Sequence, residues 1–375
     1  MDTSESIQEM NERYSSLDGL RAFAAIGIAI MHILVNIDIT PDRSSFLYGM
    51  AIPSLTNFVY MFFVISAFSM CCGYYERMKI GQISMNKFYT KRYQRILPYF
   101  ALLILIDCLA PHGANKHELS TMTAEAVETV NPIISQLYES FANLTLCFNL
   151  LPNPDIKVIG VGWYLGIVFL FYMLFPFFVF MLDNKRRMWI SLVVTFLFCF
   201  IAIDYFFTGK FINFSVTRHN IIYSAPFFVV GGGIFLYRTV IVSWVRKYKW
   251  LMLAICWLAV AGFLLTNHSG FEFVLVMSLL CGLWLCYAIG TQGCVLNNKV
   301  THYLSNISME IYLCHMMAFR GVEMLHLSRY IQQPDLLYWL TCVLTLAVAI
   351  IFSHVVKYKI LPLIEPYLFR KSKEK

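Results

Sequence analysis

The sequence predicts an all-α integral membrane protein with about ten transmembrane helices and both termini in the cytoplasm. Three observations carry this. Hydrophobic residues make up 59% of the chain and charged ones only 14%, with mean hydropathy +0.64; a soluble domain carries about 25% charge. Apolar runs long enough to cross a bilayer recur from end to end. The segments between them also alternate in charge. With the N-terminus inside, the inner segments hold 22 of the 29 Lys and Arg residues, as cytoplasmic loops do.

The expected spans lie at 18–38, 54–74, 95–110, 160–182, 188–207, 221–237, 250–266, 271–290, 305–325 and 337–357. The first follows an acidic tail poor in Lys and Arg, so it does not read as a cleavable signal. The third is short. One missed helix would invert the charge of every later loop, so the alternation supports the count as well as the direction. The domain plan is a cytoplasmic tail (1–17), a membrane domain (18–358) and a basic cytoplasmic tail (359–375). An extracytoplasmic loop at about 111–158 interrupts the membrane domain. Its apolar spacing fits helices lying on the outer face, and it is too short for an ordinary enzyme domain. No internal repeat suggests duplicated transporter halves.

Most of the eleven cysteines, among them Cys71, Cys108, Cys281 and Cys314, fall inside apolar spans and read as small packing residues. No Cys or His spacing suggests a metal. The net charge of +7 reflects cytoplasmic loops and not a nucleic-acid partner.

Polar residues at membrane depth are costly and mark functional sites. Arg21 and His32 sit eleven residues apart in LDGLRAFAAIGIAIMHILVN, close to three helical turns, so they share a face about 16 Å apart. Asp18 stands three residues before Arg21 and can pair with it. Ser66, in MFFVISAFSM, reaches roughly the depth of His32. It can equally bond its own backbone. Arg92 and Arg95, in YTKRYQRILPYF, share a helical face at the cytoplasmic surface. On charge alone they read as anchors or lipid headgroup contacts, although arginine forks also suit phosphate oxygens. Glu310 and His315 lie in NISMEIYLCHMM, where His315 reaches a depth from which it can face His32 and Glu310 points elsewhere. Either can serve as an interhelical hydrogen bond. Trp163 and Tyr164 fall where an outer aromatic belt is expected. Arg218 and His219 precede APFFVVGGG on the outer side and can contact a substrate, with a solvated loop as the simpler reading.

Taken in order, these segments resemble the acyltransferase-3 family of integral membrane acyltransferases, in its stand-alone form. SLDGLRAFAAIGIAIMH is similar to the family's opening arginine and histidine, here Arg21 and His32. FFVISAF resembles FFxxSGF, with Ala67 in place of glycine. RYQRILP resembles RxxRxxP through Arg92, Arg95 and Pro98. Trp163, Leu165, Tyr172 and Pro176 resemble the Trp-x-Leu…Tyr…Pro segment. Ser308, Tyr312, Leu313 and His315 resemble the late Ser…Tyr-Leu-x-His segment. Val168 stands where many members carry glutamate, a departure from the peptidoglycan-acetylating branch.

The resemblance implies a cytoplasmic acyl-CoA donor, usually acetyl-CoA, no metal, and an acceptor hydroxyl on a surface glycan or lipid-linked sugar at the cell (inner) membrane. Arg92 and Arg95 would then hold the donor phosphates. His32 would act as general base or, alternatively, as the nucleophile that carries the acyl group. Arg21 would position the donor, and Ser66 would bond the thioester carbonyl. His315 joins them at the same depth. Trp163, Arg218, His219 and Glu310 are candidate substrate contacts. The rival readings are transfer of succinyl or another acyl group to a different acceptor, and a transporter without covalent chemistry.

Overall fold

The computed structural model describes residues 14–109, 132–150, 159–206, 218–291 and 295–368. Much of the long loop, most of the N-terminal tail and the end of the basic tail lie outside these. Fourteen helices of eight or more residues occur among the described residues, with no strand. They are α1 (Ser16–Asn36), α2 (Phe58–Lys79), α3 (Met85–Leu109), α4 (Pro132–Leu144), α5 (Trp163–Leu182), α6 (Lys185–Phe200) and α7 (Ile221–Leu236). There follow α8 (Arg238–Lys247), α9 (Lys249–Leu265), α10 (Gly270–Gly290), α11 (Lys299–Asn306), α12 (Ser308–Glu323), α13 (Pro334–Val355) and α14 (Leu361–Leu368).

Each expected span meets a helix, but length and composition qualify only six of them to cross a membrane, or seven if the bent pair α7 and α8 counts as one. The others fall short for identifiable reasons. Helix α3 carries Lys87, Lys91, Arg92 and Arg95 in its first half. Helix α9 has 17 residues and α12 has 16, the latter with Glu310, Arg320 and Glu323. Helix α3 also runs unbroken from Met85, so Arg92 and Arg95 lie within it and not ahead of it. In the described part of the long loop, α4 leaves Leu137, Tyr138 and Phe141 exposed. This fits a helix resting on a membrane face.

Helices α1, α2, α5, α7 and α12 supply most of the core, which is rich in stacked phenylalanines such as Phe171 and Phe228, 3.9 Å between ring centroids. The broadest helix contact joins α7 to α2. Glycine makes it possible: a Cβ on Gly231 would stand 2.4 Å from the Val64 carbonyl oxygen, so only glycine permits this approach. On α6, Trp189, Ile190, Val193, Leu197 and Phe198 are exposed together. In water such a face would drive association; against lipid chains it is at rest.

A smaller apolar cluster joins Met31, Ile33 and Leu34 of α1 to Phe319 of α12 and Leu337 and Tyr338 of α13. Met316 packs against both clusters. The seam between them therefore passes beside His32 and His315, their neighbours in the chain.

Candidate functional site

Helix α1 is apolar on the faces that meet its neighbours, and small residues such as Ala22, Ala25 and Gly27 let those neighbours approach closely. Two polar groups interrupt this face. Near its start, Asp18 is buried and accepts hydrogen bonds from three described side chains. Arg21 Nη1 donates at 3.3 Å, Ser305 Oγ at 2.9 Å, and His302 Nδ1 at 2.7 Å. Arg21 Nη2 also reaches Ser69 Oγ at 2.5 Å. The guanidinium is thus held from two sides, by its own helix and by α2. The expected Asp18–Arg21 pair is present. Its supports on α11, His302 and Ser305, carried no sequence signal of their own.

Three turns on, Nδ1 of half-buried His32 lies 3.1 Å from Nε2 of fully buried His315. The expected approach of α12 to α1 at this depth is therefore present. The contacts also fix where the protons sit. Nδ1 of His315 lies 2.7 Å from the Tyr312 carbonyl oxygen, which can only accept, so that nitrogen carries a hydrogen. Nδ1 of His32 lies 3.0 Å from the Ile28 carbonyl oxygen, and by the same reasoning it also carries a hydrogen. That hydrogen points toward two acceptors, the Ile28 carbonyl and a bare Nε2 of His315. The His315 ring is then neutral, and in a neutral His32 the lone pair lies on Nε2. Adding a proton to His315 Nε2 would set two N–H groups against each other.

Ser66 lies 3.4 Å from the Tyr164 hydroxyl. It is joined to the histidines through rings: Tyr164 meets Tyr312 at 5.3 Å, and Tyr312 meets His315 at 6.0 Å. Tyr164 and Trp163 are buried among Phe62, Phe63 and Tyr312, so they belong to the interior and not to an aromatic belt. The cause is local. A short turn of 3-10 helix at Gly160–Gly162 leads into α5, and Asn149 donates to the carbonyls of both Trp163 and His219.

The two arginines of RYQRILP separate. Arg92 is buried, donates to the Tyr74 hydroxyl at 2.5 Å and to Met70 Sδ at 3.4 Å, and stands over the Tyr74 and Tyr172 rings at 4.7 and 5.6 Å. Arg95 is exposed. Its charge acts on Arg21, and both guanidinium groups act on the Tyr164 hydroxyl. Two like charges are thus brought toward one region.

Glu310 is buried in an ion pair with Lys357 at 2.7 Å, and Lys357 Nζ also donates to the Asn306 carbonyl. Its position on α12 keeps it apart from the histidine pair, as the five-residue offset implied. Arg218 is exposed, donates to Thr56 at 3.1 Å and lies over the Trp163 ring at 5.6 Å; the His219 ring meets the same indole at 4.8 Å. Among the described residues, no group of three His, Cys, Asp or Glu side chains is arranged to hold a metal ion.

Residues 14–354 match the family model described as an acyltransferase domain. No curated protein and no solved structure matches the chain.

Proposed function

From the chain's membership of the acyltransferase-3 family of integral membrane acyltransferases, we propose that it moves an acetyl group from cytoplasmic acetyl-CoA to a hydroxyl of a cell-surface polysaccharide or its lipid-linked precursor, at the cell membrane. That it is an acyl-transferring membrane enzyme follows from the family; the donor, the acceptor and the residue roles are our reading. The observation that supports these roles is the His32–His315 contact, in which both Nδ1 atoms face backbone carbonyls, so that a neutral His32 would present Nε2 as the base on the same helix as Arg21.

In this reading Nε2 of His32 takes the proton of the acceptor hydroxyl as its oxygen attacks the thioester carbonyl carbon. The carbon–sulfur bond then breaks, and the imidazolium returns its proton to the departing thiolate. A positioned base of this kind contributes about 10²–10⁴-fold in rate. His315 takes no proton. It holds His32 in the tautomer that presents Nε2, much as an orienting group does in a triad.

Arg21 and Arg95 supply the positive charge for the donor. Like charges drawn together repel, and an anionic group between them removes that cost. Coenzyme A brings its phosphates to such a place. Arg92, with its guanidinium enclosed by tyrosines, braces the helix that presents Arg95. Ser66 and Tyr164 offer hydroxyls for the thioester oxygen. Arg218 and His219, which both face the Trp163 indole, line the acceptor approach in this reading. Glu310 serves this scheme through its ion pair, by fixing α12 to the turn that follows α13.

The deciding experiment is the O-acetyl content of purified surface polysaccharide from cells with the protein, without it, and with His32→Ala at equal protein level. The reading expects loss in both altered strains. Unchanged acetylation with His32→Ala would overturn the assignment of the base.

A further inference from the structure

Helices α7 and α8 form one apolar run that is bent by 77° at Tyr237. If α7 crosses the bilayer, α8 lies near the plane of its surface. The α8 side chains divide accordingly. Val242 and Val245 are buried, and Val245 closes so tightly on α10 that a Cβ on Gly290 would stand 2.3 Å from it. The opposite side exposes Val240 and Trp244, and Trp250 follows just beyond, 73% exposed. Beside these aromatics stand Arg246, Lys247 and Lys249, all exposed. Residues 237–250 contain no Asp or Glu. Lys185, from the neighbouring turn, adds its charge over the Tyr237 ring at 5.4 Å.

A helix lying flat, with aromatic side chains at its outer edge and cations beside them, has the form of a surface-bound segment. The apolar part needs the acyl boundary, and the cations need phosphate. We propose that α8 and the start of α9 form a docking surface for the headgroups of anionic phospholipids, with Arg246, Lys247 and Lys249 as the phosphate contacts and Trp244 and Trp250 as anchors. Charge complementarity selects this occupant: residues 237–250 set no Asp or Glu among these cations, which are joined to apolar side chains that a soluble phosphate would leave in water. The proposal is independent of the acyl-transfer reading, because none of these residues belongs to the candidate site.

The test uses the full-length protein in phosphatidylcholine vesicles carrying traces of spin-labelled phosphatidylglycerol or phosphatidylcholine, with the motionally restricted fraction of each label measured. Each Lys or Arg near an anionic headgroup contributes about fivefold in affinity. The wild-type protein should therefore restrict phosphatidylglycerol at least about tenfold more strongly than phosphatidylcholine. High salt should remove that preference, since exposed charges are screened. R246Q/K247Q/K249Q should abolish it. Equal restriction of both labels by the wild-type protein would overturn the proposal, and needs no variant to fold. Displacement of phosphatidylglycerol by added coenzyme A would also overturn it, since the patch would then be a soluble-phosphate site.

Discussion

Nε2 of His315 and Nδ1 of His32 stand 3.1 Å apart, although the two residues are 283 positions apart in the chain. With both Nδ1 atoms turned to backbone carbonyl oxygens, each carries a hydrogen and Nε2 of His315 is left to accept. That a neutral His32 presents its lone pair on Nε2 is therefore a property of the pair and not of either residue.

His315→Ala should slow acyl transfer about 10- to 100-fold, less than loss of His32 itself, because the base remains but its orientation is lost. The donor KM should stay within about twofold. His315→Gln should recover part of the rate, since its amide oxygen can accept from His32 Nδ1. Transfer of radiolabelled acetyl groups to membrane glycan measures both. Equal loss with Ala and Gln would point to a packing role.

Arg92 and Arg95 should part company under mutation. Arg95→Ala should raise the donor KM about tenfold or more at a normal protein level, because an exposed guanidinium near Arg21 is removed. Arg92→Ala should instead lower the level of folded protein, since it empties the space beside Tyr74 and Tyr172. Donor kinetics and detergent-extracted protein level separate the two. An unchanged KM for Arg95→Ala counts against its contact with the donor.

Asp18→Ala should destabilise the protein by about 3–5 kcal/mol, because Arg21 loses its buried partner and His302 and Ser305 lose theirs. Asp18→Asn should cost less, since an amide oxygen still accepts. Thermal unfolding in detergent reports the difference. A melting temperature unmoved by Asp18→Ala would mean that these contacts contribute little.

Lys357→Met alone should be more damaging than Lys357→Met combined with Glu310→Gln. The single change leaves a buried carboxylate without its cation, whereas the double change leaves two neutral groups. A double-mutant cycle on unfolding temperature tests this. Additive losses would deny the coupling.

Much of this protein is written along its chain. Membrane solvation acts on each segment separately, so apolar length alone marks the helices, and the pairing of Asp18 with Arg21 follows from a helical spacing of three. The ordered motifs from Arg21 to His315 also disclose the family, and residues 14–354 match it. The count of crossings was less legible. Helices such as α3 and α12 carry charges that lower their apolar character while remaining among the bundle's inner elements.

The all-helical membrane class, the family and the small set of polar residues in apolar surroundings can therefore all be read from the chain alone. Tertiary structure alone decided their partners. It buried Arg92 and left Arg95 exposed, though both share one helix. It gave Glu310 to Lys357, turned Trp163 and Tyr164 inward, and set His302 and Ser305 on Asp18. The physical reason is that helical periodicity fixes which side chains share a face, whereas the partner of that face depends on how close two helices come. Here that approach is set by long-range packing, such as the seat of Gly231 against Val64, which no local pattern encodes.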